Sequence, residues 1–421
     1  MIEIRTQTAF ENIVNNTPTN QNIYIYPKRD GNPYFLSSVW YLKSNTSIVG
    51  VSKPKIQYTG DYPIPFTFPT YEGEFEEGEF EEEEDFYYIP NAVITALPPL
   101  DEEEETGRFF SSNIRIEGIH LIGDENLRIN EEDEKYLNSM VVGIGLIDSG
   151  ADFYYGNGDF EELEFANESG ICVKDCIVEN FQCGIGISYS WNSIISNNTI
   201  RNNSDWGMLA FNSRTMQICN NEIEYSKCGA YLSELDTSVI KNNRIVNTNS
   251  HGLIFERLYA IVFDNNTITN IGDNAIVSMD TSYVSFSNNN IINANKGISL
   301  EDGSTYNVVH NNSFKNTSDE ELHSAIYIGN NTGEILQETF NNELCNSITN
   351  NQIENYQYGI YIQDSNKNAV VGNMTIRNDT GILLENSNGH IVYGNVSMLN
   401  TTTNYGDVGG TDNQMSTDYN K

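Results

Sequence analysis

The chain has 421 residues with 22 Lys+Arg against 59 Asp+Glu, a formal net charge of −37; that balance excludes nucleic acid as a partner class, since phosphate binding needs a clustered positive footprint. A hydrophobic fraction of 38%, with 25 Tyr and 19 Phe, supplies a core and excludes a disordered acidic polymer. No stretch reaches the ~20 apolar residues of a membrane span, and Glu3, Arg5 and Glu11 interrupt any apolar leader segment in the first twenty residues.

Residues 1–60 read as an N-terminal cap and first coils: Thr8 to Ile13, then the strand-type runs Ile23 to Pro27, Tyr34 to Leu36 and Leu42 to Val51. Residues 61–169 read as early coils interrupted by acidic insertions, with Ile114 to Ile119 as a coil between them. Glu72 to Asp85 holds ten carboxylates in fourteen positions, Asp101 to Glu105 and Glu131 to Glu134 are unbroken acidic runs, and Asp152 to Glu168 is the fourth insertion. Runs of like charge repel and cannot pack on a core, so they are expected as solvated loops of a salt-adapted (halophilic) surface. A calcium loop needs alternating ligands and turn glycines. Ca2+ is therefore the one cofactor left open, with no folding metal site expected.

Residues 170–400 carry the decisive feature. Asn-Asn-x-Ile, a polar turn and a Gly opening an alternating apolar run recur with the second Asn at Asn198, Asn221, Asn243, Asn266, Asn289 and Asn312, in steps of 22 or 23 residues. After one 39-residue step the phrase resumes at Asn351, Asn373 and Asn395, and a weaker copy is expected at Asp175. Units this short cannot bury a core alone and must stack on copies of themselves. Two or three short strands per unit, parallel between units, place these Asn residues about 4.8 Å apart in a hydrogen-bonding column. A second column follows at Asn202, Asn247, Asn270, Asn293, Asn316 and Asn355, broken by Tyr225. The extra residues between Asn312 and Asn351 are too few for another coil and are expected as loops. Residues 401–421 read as a polar C-terminal tail.

The fold class is thus all-β, a single-stranded right-handed parallel β-helix with coils of 22–23 residues. The Asn-Asn-x-Ile…Gly-Ile-x-Leu units resemble the NosD-type and pectin-lyase-like right-handed β-helix superfamily, and the N-terminal runs resemble its capping segment. That superfamily includes lyases, hydrolases, epimerases, tailspikes and adhesins, so the resemblance implies a fold far more than an activity.

Aligning the coils on their Gly gives a column five residues on, in which Glu234, Arg257, Asp280 and Asp302 fall on consecutive coils. One Arg flanked by carboxylates suits an acidic-sugar lyase, with calcium polarising a uronate and Arg removing a proton. The same pattern arises as a cross-strand ion-pair ladder, which is the simpler reading. Gly272-Asp273-Asn274-Ala275-Ile276 resembles the Gly-Asp-Asp-Ala/Cys-Ile motif of polygalacturonases, which would make Asp273, with His251 one coil earlier, an acid–base pair. Asn274 replaces that motif's second carboxylate. The five His show no ligand spacing, and none of the six Cys forms a CxxC pair, so no metal ligands are assigned. Aromatic residues crowd the coils from Asp175 to Ile261, and Trp191, Trp206, Tyr231 and Tyr259 are the candidates for stacking on sugar rings.

The expected function is an extracellular, cell-surface or virion-type protein, such as a tailspike or adhesin, that binds or presents to a polysaccharide or cell-surface glycan without catalysis. A homotrimer or larger surface assembly suits that class. The alternative is a polysaccharide lyase, glycoside hydrolase or epimerase acting in a groove along the β-helix.

Overall fold

The computed structural model describes residues 1–60, 91–95, 113–124, 140–147, 170–188, 190–318, 320, 322–329 and 346–416. The four acidic insertions lie outside these residues, as does most of the segment expected to loop out between Asn312 and Asn351. The described chain winds into a right-handed parallel β-helix with three strands per coil. A 15-stranded first sheet runs from Ile2–Ile4 to Gln414–Met415. The second, of 13 strands, runs from Tyr34–Leu36 to Val396–Met398, and the third, also of 13, from Trp40–Tyr41 to Thr403–Val408. Within the described residues the only α-helix, Gln7–Asn15, closes the N-terminal end. Thr6 caps it by accepting from the Ala9 amide (3.3 Å), and Phe10 packs on Tyr34 and Trp40 at 5.0 and 5.4 Å between ring centroids.

Each half of the Asn-Asn pair has its own physical reason. The first Asn (197, 220, 242, 265, 288, 311 and 350) turns the corner between the first and second sheets at φ +53 to +57, the left-handed region that Asn tolerates better than most residues. Gly372 and Gly394 take over that corner later. The second Asn points inward and is buried. In Asn243, Nδ2 donates to Ile218 O (2.9 Å) and Asn266 Oδ1 (3.0 Å), while Oδ1 accepts the Asn221 amide (2.9 Å). The ladder continues unbroken to Asn395, and Asn312 pairs directly with Asn351, so the 39-residue step is one coil with an enlarged connection.

Two expectations on the columns need correction. The coil before Asn198 meets the ladder at Cys176, whose amide donates to Asn198 Oδ1 (2.9 Å), and Asp175 instead holds the left-handed corner above Asn197. A 22-residue step replaces the assumed 23. In the second column Asn202, Tyr225, Asn247, Asn270, Asn293 and Asn355 share a left-handed corner. Asn316 keeps the column's register, its amide donating to Glu354 O (3.1 Å) and its carbonyl accepting from Asn355 Nδ2 (3.1 Å), but without the left-handed φ, and its buried side chain donates to Glu320 O (2.7 Å).

The repeated Gly stands at the start of the third sheet. A Cβ on Gly229 would lie 2.2 Å from Gly252 O, so the coils could not stack at their spacing. Inside, Ile218, Ile240, Phe263 and Phe286 of the first sheet face Ile223, Ile245 and Ile268 of the second and Ala230, Leu253 and Ile276 of the third, all within one core. Each fully buried Ile contributes about 2 kcal/mol. Cys176, Cys183, Cys219 and Cys228 are buried and unpaired, as small apolar residues.

Candidate functional site: the outer face of the third sheet

The third sheet has the longest strands, Trp206–Arg214 and Cys228–Asp236, and its outward positions bring unlike side chains into register. One outward column runs Leu209, Tyr231, Ile254, Val277, Ser299, Tyr327, Tyr361, Leu383. Two residues further along the strands, a second column holds Glu256, Met279 and Glu301, then Gln363 and Glu385. Three tyrosines of the first column thus stand among apolar residues beside a second column that holds three glutamates.

The column of Glu234, Arg257, Asp280 and Asp302 forms the edge of this face. All four have φ between +48 and +55, as do Asp364 and Asn386 on later coils, because the chain turns out of the sheet here or, at Glu234, bends within its strand. Asp and Asn suit that corner conformationally. Arg257 sits between two carboxylates, with Nη1 3.0 Å from Glu234 Oε1 and Nη2 3.3 Å from Glu256 Oε1. Glu256 also accepts the Tyr231 hydroxyl, and the Tyr231 ring packs against Trp206 (5.6 Å) and Phe211 (5.4 Å). Burial raises the Asp280 carboxyl pKa, against the pull of Arg257. Asp302 follows one strand on, its carbonyl accepting the Asp280 amide (3.0 Å).

Other predicted residues fall elsewhere. Asp273 precedes the strand Ile276–Met279, near His251, with Oδ2 3.9 Å from Nδ1, beyond hydrogen-bonding distance. The Asp273 carboxylate instead accepts from Asn295 Nδ2 (3.3 Å), and the residue stacked on His251 is Asn274. Trp191 and Tyr259 lie at the corner leading into the first sheet, away from Trp206 and Tyr231. Trp191 has the Arg214 guanidinium 5.8 Å over its ring, and Tyr259 begins an exposed stack with Tyr283 and Tyr306.

Sequence reasoning missed the C-terminal half of the face. Lys296 Nζ lies 3.9 Å from the Tyr327 ring centroid and 3.2 Å from Glu301 Oε1. His323 is wedged among Tyr358 (5.4 Å), Tyr361 (5.7 Å) and Tyr327 (6.3 Å), and Tyr358 stacks on Tyr361 at 4.8 Å. Tyr327 donates to Gln363 Oε1 (3.1 Å), and Tyr361 to Glu385. Burial and Lys296 lower the His323 pKa, while burial followed by nearby carboxylates raises those of both tyrosines. Counting two residues past the repeat Gly or Ala, as well as five, would have shown this column: Ala325-Ile-Tyr327 and Gly359-Ile-Tyr361 carry it.

The profile of the family described as "Right handed beta helix region" matches residues 112–291 and 227–346. That of "Periplasmic copper-binding protein (NosD)" matches residues 317–419. Among the described residues of this stretch the donors do not fit copper: both ring nitrogens of His390 are engaged within the core, His323 is enclosed by tyrosines, and no three His, Cys, Asp or Glu are grouped to hold a metal. No curated protein matches the chain. Among solved structures, the A-module of mannuronan C-5 epimerase AlgE6 of Azotobacter vinelandii is similar at 12% identity and TM-score 0.51, covering 97% of this chain and 94% of that one. The catalytic unit of the GH87 α-1,3-glucanase of Streptomyces thermodiastaticus is similar at 10% identity and TM-score 0.52, covering 100% and 67%. At these identities the likeness is one of fold.

Proposed function

Because this chain belongs to the right-handed β-helix family, and the side of its third sheet away from the core carries Trp206, Tyr231, Tyr358, Glu256, Glu301 and Glu385 half-buried over the buried rings of Phe211, Tyr327 and Tyr361, we propose that it is a glycan-binding β-helix. The ligand lies along that face, outside the cytoplasm. The observation that carries this reading is the packing together, on one side of the sheet, of Trp206 and Tyr231 with Glu256, and of Tyr358 with the buried Tyr361, which stacks on it, packs against Tyr327 and donates to Glu385. Aromatic faces stack on the apolar side of a pyranose, and neighbouring carboxylates accept its hydroxyls. Two of the similar folds are named for enzymes of polysaccharides, mannuronan and α-1,3-glucan, which supports the ligand class. The similarity of residues 317–419 to a periplasmic protein supports the location.

Binding without catalysis is preferred because Arg257, the one strong base candidate in the predicted column, is engaged by Glu234 and Glu256. The test is a titration of the protein with neutral, acidic and amino-sugar oligosaccharides, together with an assay for unsaturated or newly reducing ends. Trp206→Ala with Tyr231→Ala should weaken binding at least tenfold. Arg257→Lys should leave binding intact and lower stability by well under ~1 kcal/mol. Product that appears with the wild type and vanishes with Arg257→Lys would replace this reading by the lyase, hydrolase or epimerase one. Absence of binding to every oligosaccharide would end it.

A further inference from the structure

Three tyrosine–carboxylate pairs lie in the two outward columns of the third sheet: Tyr231 with Glu256 of the next coil, Tyr327 beside Glu301 of the preceding coil (its own hydroxyl going to Gln363 of the next), and Tyr361 with Glu385 of the next coil. The first two are compensated by a cation of the protein itself. Arg257 Nη2 lies 3.3 Å from Glu256, and the Lys296 ammonium sits between Glu301 (3.2 Å) and the Tyr327 ring (3.9 Å), with both charged side chains only 22% exposed. An ammonium held between a carboxylate and a tyrosine face is a favourable arrangement on charge and on cation–π grounds. The third pair has the ring, the carboxylate and a second stacked ring, Tyr358 at 4.8 Å, yet no Lys, Arg or His forms an ion pair with Glu385 among the described residues. The strand position occupied by Lys296 is followed coil by coil by Ser324, Tyr358 and Thr380, so a threonine stands beside Glu385 where a lysine stands beside Glu301.

We propose that Glu385, with the half-buried Tyr358 ring backed by the buried Tyr361, receives the ammonium group of an amino sugar, and that the glycan is a deacetylated amino-sugar polymer. This rests on the glycan-binding reading and names its ligand class. The surroundings agree: the carboxylates of Glu301, Asp364, Glu385 and Asp302 stand near Tyr327, with Lys296 paired to Glu301 among them, an acidic excess that attracts an ammonium and repels a uronate. At physiological salt the effect reaches about 8 Å, so it acts on a sugar lying on the face.

The experiment titrates the full chain, at physiological salt, with a glucosamine oligomer, its fully N-acetylated counterpart and a uronate oligomer. The amine form should bind at least tenfold tighter than the acetylated form, and the uronate should bind weakest. Glu385→Gln should remove that preference. Glu222→Gln, a carboxylate on the second sheet paired with Arg244, should not. Thr380→Lys supplies an internal ammonium at the position equivalent to Lys296 and should block the amine oligomer even if Glu385→Gln proves unstable. Equal affinity for amine and acetylated forms overturns this inference and leaves the glycan-binding reading standing. Equal losses with Glu385→Gln and Glu222→Gln would mean attraction to the −37 chain as a whole, which also overturns it. Failure of all three oligomers, and of neutral glycans, overturns both.

Discussion

His390 shows how one residue can substitute for another when only a lone pair is needed. In the ladder of Asn307, Asn346 and Asn368, each backbone amide donates to the side chain one coil on; Asn368 N donates to His390 Nδ1 (3.0 Å), and Nε2 faces Ser365 O (3.1 Å). The ring must be neutral to accept there, and burial lowers its pKa despite the neighbouring backbone groups and Asp407. The unfolded chain thus binds the proton more readily, and stability falls as pH drops below the ordinary His value of about 6.5, levelling off below the folded pKa. His120 and His323 are lowered by burial as well and add to the same slope. His390→Asn should keep the ladder and flatten the acid-side slope of the melting temperature; an unchanged slope would assign it to the other two. The Asn-Asn pair gives a second contrast. Asn266→Ala orphans the Asn243 amides and the Ile240 carbonyl in the core and should cost about 3 kcal/mol. Asn265→Ala strains an exposed left-handed corner and loses an exposed side-chain bond to Asn242, and should cost about 1 kcal/mol by denaturant unfolding.

At the scale of the coil, stability is the sum of each unit and its contacts with two neighbours. Removing residues 244–266, one 23-residue period from Arg244 to Asn266, would join Asn243 to Thr267 and bring Asn289 onto the ladder beneath Asn243. A folded, shorter solenoid with an unchanged far-ultraviolet β signature is expected. Removing only residues 244–255 should unfold the C-terminal coils, because the Ile stacks and the Asn ladder then fall out of register. The face follows the same logic: on longer third-sheet strands the outward positions are released from the core's demand for Ile and Leu, so Tyr, Glu and Lys gather there without disturbing the stack. Trp191 and Tyr259 illustrate the limit of counting aromatics, since a displacement of a few residues along the coil carries them round a corner to another surface.

For the whole molecule the governing quantity is the charge of −37. Self-repulsion is least screened at low ionic strength, so the thermal midpoint should fall as salt is lowered. If the acidic insertions serve as salt-adaptive surface, a chelator at constant ionic strength should leave the midpoint unchanged. A large drop would mean that a cation is bound there. Among the described residues no helix is long and apolar enough to cross a membrane.

The architecture was legible because a solenoid writes its period into the chain: Asn243 and Asn266 must differ by one coil for their amides to meet, and a coil without enlarged connections takes 22 or 23 residues. The inward Ile positions, the left-handed Asn corners and the crowding Gly are local demands, repeated in every coil and therefore visible as repetition. The face was less legible, since outward positions answer to no such demand and their pattern surfaces only when strands are laid side by side. Glu234 and Arg257 could be paired from spacing alone. The third partner, Glu256, and the clustering of Lys296, His323, Tyr327 and Tyr361 across the enlarged connection after Lys315 depended on register that only the folded stack supplies. The one-residue difference between Asp175 and Cys176 was likewise settled by the backbone, because an amide bonds to the residue opposite it and not to the nearest similar letter.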